Sequence, residues 1–415
     1  MVGAGAAGMM AAIFAAESAS APAPGTEILL LERTQDGGRK ILISGGGRCN
    51  ILPSAPDVAR FVTDSSANSL RNMLRTWPLA DQVRFFNERL KLDLTLEAGS
   101  GKLFPRSNKA RDVRDGLLAL ARQLGVTTRF GVTVEGVEQP ETTPDDWAVL
   151  LAGGERIKAS AVILATGGLS VPNTGSDGAG LRIAERLGHT VHPTYPALTP
   201  LTGSDEAHTQ LSGISLPVTL RARAEGKRWE AHGGFLFTHR GYSGPSVLDL
   251  SHLAVRSRLA GGARQEITVQ WTALDAAAWD ARFLAGGPVH VGTLVRRELP
   301  DRLAEMVLES AAVPGSTPAA QLKREERQRL VTALCSMPLP WRGDEGYKKA
   351  EVTGGGVALG EVDPRTMESR RLPGLFLCGE MLDAFGPIGG YNFMWAWATG
   401  RAAGLAAGNV SRTKA

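Results

Sequence analysis

Apolar and polar positions change period several times along this chain, and each change marks an element. After a glycine-rich opening, residues 9–18 read as a helix. A Pro/Ala linker at 19–26 leads to Glu27-Ile-Leu-Leu-Leu-Glu32, whose continuous apolar run predicts a buried parallel strand. Residues 57–98 read as largely helical, with DQVRFFNERLKLDL placing apolar positions at helical spacing. A helix over about 110–124 sets Val113, Leu117, Leu118, Ala121 and Leu124 on one face. Strand signals follow at 132–137, 147–151 and 161–165, a meander that returns to a core strand. From about 189 the character changes. Pro193, Pro196 and Pro200 open a stretch with strand-like alternation at 214–220 and 266–271 and helical segments at 290–311 and 318–335. Glycine-rich strand and turn patterns return at about 351, and a helix over about 392–407 closes the chain. No internal repeat is evident. The expected class is α/β, with a middle segment, 189–345, inserted between 1–188 and 346–415.

Length and composition narrow the function classes. A chain of 415 residues suggests two or three domains. Its 46 basic and 42 acidic residues leave a net charge of +4, too mild to indicate a nucleic-acid binder and incompatible with an acidic solvated coil. Apolar residues make up 43%, enough for a real core. The 50 glycines follow no collagen-like period, so they serve particular backbone positions. The three cysteines, Cys49, Cys335 and Cys378, are odd in number and form no CxxC. They argue against a disulfide framework or zinc site and fit a reducing, cytoplasmic setting. The alanine-rich start lacks the basic flank of a signal peptide, and no run is long enough to span a membrane. No metal-ligand cluster, Walker loop or Gly-x-Ser-x-Gly elbow is evident.

The first chemical motif is Gly3-x-Gly5-x-x-Gly8, with Glu32 ending the next strand 24 residues after Gly8. In a dinucleotide fold the first glycine permits a tight turn, the second lets a pyrophosphate approach the backbone, and the third lets helix and sheet pack closely. The helix start around Ala6 and Ala7 supplies N–H groups and positive dipole, and Glu32, followed by Arg33, accepts from ribose hydroxyls. A glycine-rich helix start without a ligand is the alternative. The strand that should precede Gly3 is reduced to Met1-Val2, from which we expect that the natural start lies upstream or has been trimmed. The second motif is Gly38-Arg39-Lys40-Ile-Leu-Ile-Ser44-Gly45-Gly-Gly47-Arg48-Cys49-Asn50. Its glycines allow close approach, and Arg39, Lys40 and Arg48 are suited to neutralising phosphate. A flexible basic loop is the other reading.

Taken with the opening glycines, GRKILISGGGRCN resembles the signature of the bacterial BaiN/YhiN-like flavoproteins, NAD(P)/FAD-dependent oxidoreductases related to the glutathione-reductase-type FAD folds. The resemblance implies a Rossmann-like FAD-binding domain made from 1–188 and 346–415, and an inserted substrate or cap domain, 189–345, that is partly a β-barrel. It extends to Gly101-Lys102-Leu-Phe-Pro-Arg106-Ser107-Asn-Lys109-Ala110, where Ser107 is a candidate helix cap. It extends also to Ala165-Thr166-Gly167-Gly168 and Gly175-Ser-Asp177-Gly178, with Asp177 read mainly as a cap. Val134, in the strand signal 132–137, joins the cofactor-binding set. Further on come Glu351-Val-Thr353-Gly-Gly-Gly-Val357, then Cys378-Gly379-Glu380-Met-Leu-Asp383, then Gly389-Gly390-Tyr391-Asn392-Phe393. In such proteins a Gly-Glu strand end places a carboxylate near the ribityl chain. The next helix start points at the flavin, where its dipole favours the reduced anion. Phe235-Leu-Phe-Thr-His239-Arg-Gly-Tyr242-Ser243-Gly-Pro resembles a family element of the insert. His239 there is either a buried, satisfied histidine or, with Tyr242, a group that orients substrate or donates a proton. Cys49 is either a structural residue or a reactive thiol whose pKa nearby cations would lower.

The function implied is FAD-dependent redox chemistry with NAD(P)H as a transient electron donor, since no second GxGxxG is present. Three versions stay open. One is reduction of an electron-poor C=C bond in a small molecule, one is reduction of a pyrimidine ring in RNA, and one is a non-catalytic flavin-binding sensor. The basic stretch 102–130 permits the second, although RNA is not the favoured partner.

Overall fold

The computed structural model describes residues 1–18, 27–139, 146–203 and 209–413. The Pro/Ala linker expected at 19–26 lies outside them. The chain forms two compact units, Met1–Pro196 with Glu351–Ala415, and Ala197–Ala350. The first unit extends past 188 because the strand Val191–Ala197 pairs with Val352–Val357 of the returning segment.

A parallel sheet organises the first unit. Thr127–Phe130 pairs with Leu29–Glu32, and Leu375–Leu377 pairs with Val162–Leu164. Between these two pairs sits the short stretch Met1–Gly3. Val2 N–H donates to Ile163 O at 2.9 Å and Gly3 N–H to Leu31 O at 2.8 Å, while Met1 O and Val2 O accept from Leu31 and Ala165. Short as it is, the opening segment is hydrogen-bonded on both sides and occupies the central place of the sheet. Its neighbour Val162–Leu164 and the strand beyond, Leu375–Leu377, are wholly buried, as continuous apolar strands of a parallel sheet should be. The strand Thr127–Phe130 gives no such signal, because at the sheet's edge its side chains are only partly buried.

Helix Ala6–Ser18 leaves the sheet at the glycine motif, and the terminal helix Tyr391–Thr413 lies against it at backbone distance. Gly400, Gly404 and Gly408 recur every fourth residue, so they share one face. A Cβ at Gly400 would lie 2.4 Å from Ala7 O, and one at Gly404 2.3 Å from Ala11 O. The segment 57–98 is less helical than its periodicity suggests. It holds helices Ala67–Arg75 and Leu79–Arg84, a wide turn Phe85–Arg89 and the strand Thr95–Glu97. Helix Ala110–Gln123 begins with Lys109 at its cap position, not Ser107. The Ser107 hydroxyl accepts from Lys109 N–H at 3.3 Å, two residues ahead of the cap position.

The second unit is built on a seven-stranded sheet. Its spatial order is Met337–Pro338, Ile267–Gln270, Ser215–Ala224, Lys227–Phe237, Gly241–Ser243, Leu201–Gly203, Trp341–Asp344. The two end strands are consecutive in the chain, separated only by Leu339 and Pro340. Seven flat strands would hold their edges ~29 Å apart, whereas the link from 338 to 341 reaches at most ~11 Å. The sheet therefore rolls until its edges meet, in the manner of a small barrel. Phe235, Phe237 and Trp271 fill its core, the last two stacked at 5.8 Å. Among the described residues no helix is long and apolar enough to cross a membrane.

One buried group in this unit sets an acid limit on stability. His252, on helix Pro245–Leu259, is 1% exposed and packs edge-on to Trp229. Burial pushes its pKa down to about 4. The unfolded chain would bind a proton there below about pH 6.5, which the folded chain refuses until about pH 4. Stability is therefore expected to fall as pH drops through that window, by about 3 kcal/mol in full. Urea titrations at pH 7 and 4.5 should show this loss in the native chain and a clearly smaller one in His252→Gln. Equal losses in both would exclude His252 as the source.

Candidate cofactor site

The glycine motif has the three properties a nucleotide cradle needs, one per glycine. Gly3 turns the chain at φ 98°, and a Cβ there would meet Ala165 O at 2.6 Å. Gly8 sits so close to the sheet that a Cβ would lie 1.8 Å from Gly3 O. Around Gly5 the reverse holds, since a Cβ there would have nothing within 4 Å. Space is open where a diphosphate would approach. The first N–H groups of helix Ala6–Ser18, including those of Ala6 and Ala7, have no acceptor inside the helix. Together they form an anion site on physical grounds.

Glu32 closes the cradle from the neighbouring strand. Its Oε2 accepts from Ala4 N–H at 2.8 Å, and its Oε1 accepts from Thr34 N–H and hydroxyl, both at 2.8 Å. Oε1 is thereby filled, and Oε2 keeps one lone pair for a ribose hydroxyl. Arg33 pairs with Asp177. Asp177 also accepts from Ala179 N–H at 3.1 Å, so it supports the helix start while Gly178 takes the cap position.

The three cations of the second motif are each already matched by a carboxylate. Arg39 pairs with Asp36 at 2.6 Å, Lys40 with Glu380 at 2.6 Å and Arg48 with Glu97 at 2.7 Å. Arg48 also lies over the Phe104 ring at 4.2 Å. The loop itself is ordered, as helix Arg39–Ile43 running into a 3-10 turn, Ser44–Gly47, in which Gly45 and Gly46 take left-handed conformations. Ser44 donates to Ile41 O. Cys49 is fully buried, and burial pushes its thiol up to about 12, opposite to the lowering that nearby cations would cause. Burial and the raised thiol both belong to the structural reading of Cys49. Asn50 is buried too, and its Oδ1 meets no hydrogen-bond partner among the described residues.

The returning segment completes the site. Gly167 turns at φ 73°, and Gly168 fits under Thr353, whose hydroxyl would be 2.3 Å from an added Cβ. Thr166 lies as close to Gly180. Glu380 follows Gly379 and is held by Lys40, by the Ser170 hydroxyl at 2.6 Å and by Thr353 N–H at 3.1 Å. Ser170, two residues past the quoted Gly168, is a neighbour that motif reading passes over, and Thr353 stands within the quoted segment 351–357 without a role assigned to it. Asp383 faces elsewhere. It is buried, and its Oδ2 accepts from the Thr63 hydroxyl (3.0 Å), Asp64 N–H (3.0 Å) and the Ser65 hydroxyl (2.7 Å), with His192 Nε2 at 3.7 Å. Burial holds its carboxyl above the usual range, against the pull of Ser65 and Thr63.

At the start of the terminal helix, Gly389 and Gly390 take positive φ, and a Cβ at Gly390 would be 2.5 Å from the Leu52 carbonyl carbon. The Asn392 side chain turns back to bond both N–H and C=O of Gly386, at 2.9 Å each. Tyr391 is buried, its hydroxyl accepting from Asp57 N–H, and Phe393 stacks on Trp397 at 5.3 Å. These two side chains serve packing. Val134 is likewise buried in the core of the unit.

In the second unit the structure separates the two candidates from the insert motif. Tyr242 is fully buried and donates to Pro340 O at 3.1 Å, so it packs in the core of the rolled sheet. His239 is exposed in the turn between Lys227–Phe237 and Gly241–Ser243, which removes the buried alternative.

The residues present fit a bound dinucleotide. Gly5 leaves an open approach, Glu32 keeps a free lone pair, and the buried Asn50 oxygen lacks a partner. Glu380 and the helix start at Gly390–Asn392 stand at the other end of the motif set.

Comparison with known proteins places this geometry. Residues 1–406 match the family described as HI0933-like protein Rossmann domain. The chain is 32% identical to the 3-dehydro-bile acid delta(4,6)-reductase of Clostridium scindens, over 98% of each chain. It is 31% identical to the ribosomal RNA dihydrouridine synthase of Escherichia coli, over 96% of this chain and 95% of that one. Among solved structures, the FrdA chain of E. coli quinol fumarate reductase superposes with a TM-score of 0.52 at 15% identity. That match covers 100% of this chain and 70% of that chain, and it shows the fold alone. The cradle, the motif set and the full-length match agree, and the chain belongs to the HI0933-like family of Rossmann-domain, FAD-dependent oxidoreductases.

Proposed function

We propose that this protein takes hydride from NAD(P)H and reduces an electron-poor C=C bond of a small molecule. The observation that carries the reading is the cradle around Gly5, open to a diphosphate and closed by Glu32. FAD bound there supplies the two-electron chemistry between nicotinamide and substrate. The residues do the rest. The first turn of Ala6–Ser18 binds the diphosphate, Glu32 orients the ribose, and the start of helix Tyr391–Thr413 favours negative charge near it. Reduction of a conjugated alkene needs a proton as well as a hydride. The choice of reaction is supported by the names of the two relatives, a delta(4,6)-reductase and a dihydrouridine synthase, since a dihydrouridine is a uridine with its ring C=C saturated.

The test is an anaerobic absorbance spectrum before and after NADPH or NADH. A flavin spectrum that bleaches, and recovers when conjugated enones are added, is the expected result. Recovery with uridine-containing RNA and not with enones would favour the RNA reading, to which exposed Arg106, Lys109 and Arg111 lend support. A flavin that neither nicotinamide reduces would leave the sensor.

A further inference from the structure

Lys40 and Glu380 are 340 residues apart in sequence and form the most enclosed ion pair of the cofactor site. Their side chains are 26% and 18% exposed, and the Nζ to Oε2 distance is 2.6 Å. The pair is tied into a ring. Lys40 also donates to Ser170 Oγ at 2.6 Å, and that hydroxyl donates to Glu380 Oε1 at 2.6 Å. Ser170 is fully buried and Thr353 nearly so. Thr353 N–H donates to Glu380 Oε1 at 3.1 Å, and its own hydroxyl accepts from Leu169 N–H (2.8 Å) and Ser170 N–H (3.1 Å). Four chain segments converge here: the basic motif, the turn after Gly168, the strand Val352–Val357 and the Gly379–Met381 turn.

Such a ring has one electrostatic property that no member has alone. It places two opposite charges, mostly removed from water, in a site meant for a redox group, at zero net charge. Losing either partner leaves the other charge uncompensated in a poorly solvated place. We propose that Lys40 and Glu380, positioned by Ser170 and Thr353, act as a charge-balanced pair that sets the reduction potential of the bound flavin. This rests on the FAD reading above. On this reading Lys40 serves Glu380 and Ser170, to which two of its three N–H groups donate.

The pair makes a signed prediction. Lys40→Met leaves a net negative charge, opposes the added electrons and shifts the flavin potential negative. Glu380→Gln leaves a net positive charge and shifts it positive. The double variant Lys40→Met/Glu380→Gln, neutral again, returns close to the native value. The measurement is the midpoint potential of each FAD-saturated protein against a reference dye, with FAD dissociation and thermal melting recorded in parallel. Opposite shifts with near-cancellation are expected. Shifts of the same sign, or unchanged potentials with lowered melting temperatures, would make the pair a fold contact only and overturn the inference. A Lys40→Met protein that binds FAD more weakly at unchanged potential would return Lys40 to phosphate binding and overturn it equally. Lys40→Arg keeps the charge and should keep the potential. If the native protein retains no FAD, the cofactor reading itself fails, and the two failures are thereby distinguished.

Discussion

Gly404→Val is expected to lose at least about 3 kcal/mol of stability, a fall of roughly 6–12 °C in melting temperature. The added Cβ would stand 2.3 Å from Ala11 O and 2.9 Å from Ala11 C, both backbone atoms that no rotamer change can move. Relief requires the terminal helix and helix Ala6–Ser18 to separate. That helix begins at the glycine motif, so separation also disturbs the cradle. Gly360→Ala is the matched control, because a Cβ there has nothing within 4 Å. Thermal melting of both variants checks the prediction, and equal melting temperatures would refute close helix packing as the reason for the glycine row.

Glu32→Ala is expected to weaken FAD binding by roughly 30- to 150-fold, or about 2–3 kcal/mol. The carboxylate does two things at once. It holds Ala4 N–H, which fixes the glycine loop, and it keeps a lone pair for the nucleotide. A hydrogen bond to a charged group contributes about 1.5–3 kcal/mol, so losing the one to the ribose accounts for the range. Gly5→Ala separates cofactor from fold. Its Cβ enters open space in the chain itself, so melting of the cofactor-free protein should be unchanged while FAD affinity falls. Fluorescence titration with FAD reads both variants. Native affinity in both would remove the cradle from the cofactor map.

The cradle was legible before any coordinates because its requirements are local. A tight turn, an open backbone position and a close helix packing fall on Gly3, Gly5 and Gly8 within one short segment, and the apolar run before Glu32 predicts its own strand. The same locality explains the helix over Ala110–Gln123 and the strands of the meander. The row Gly400, Gly404, Gly408 is also visible as a spacing, but only the structure shows which helix fills the space it leaves.

Where a property depends on partners distant in sequence, the pattern along the chain does not carry it. Arg39, Lys40 and Arg48 look like free cations on the page and are each neutralised, Lys40 by a residue 340 positions away. Cys49 leaves two readings open in the sequence, structural or reactive, and its burial supports the structural one, because burial is decided by whatever packs over a residue and not by its chain neighbours. Tyr242 sits in a polar motif and yet is core, because the sheet of the second unit rolls around it. By itself, the sequence determined the backbone geometry of the nucleotide cradle and the order of the elements, since both are set by steric and apolar demands among near neighbours. Only the tertiary structure decided charge compensation, burial and helix–helix contact, since Coulomb energy and desolvation depend on distance in space.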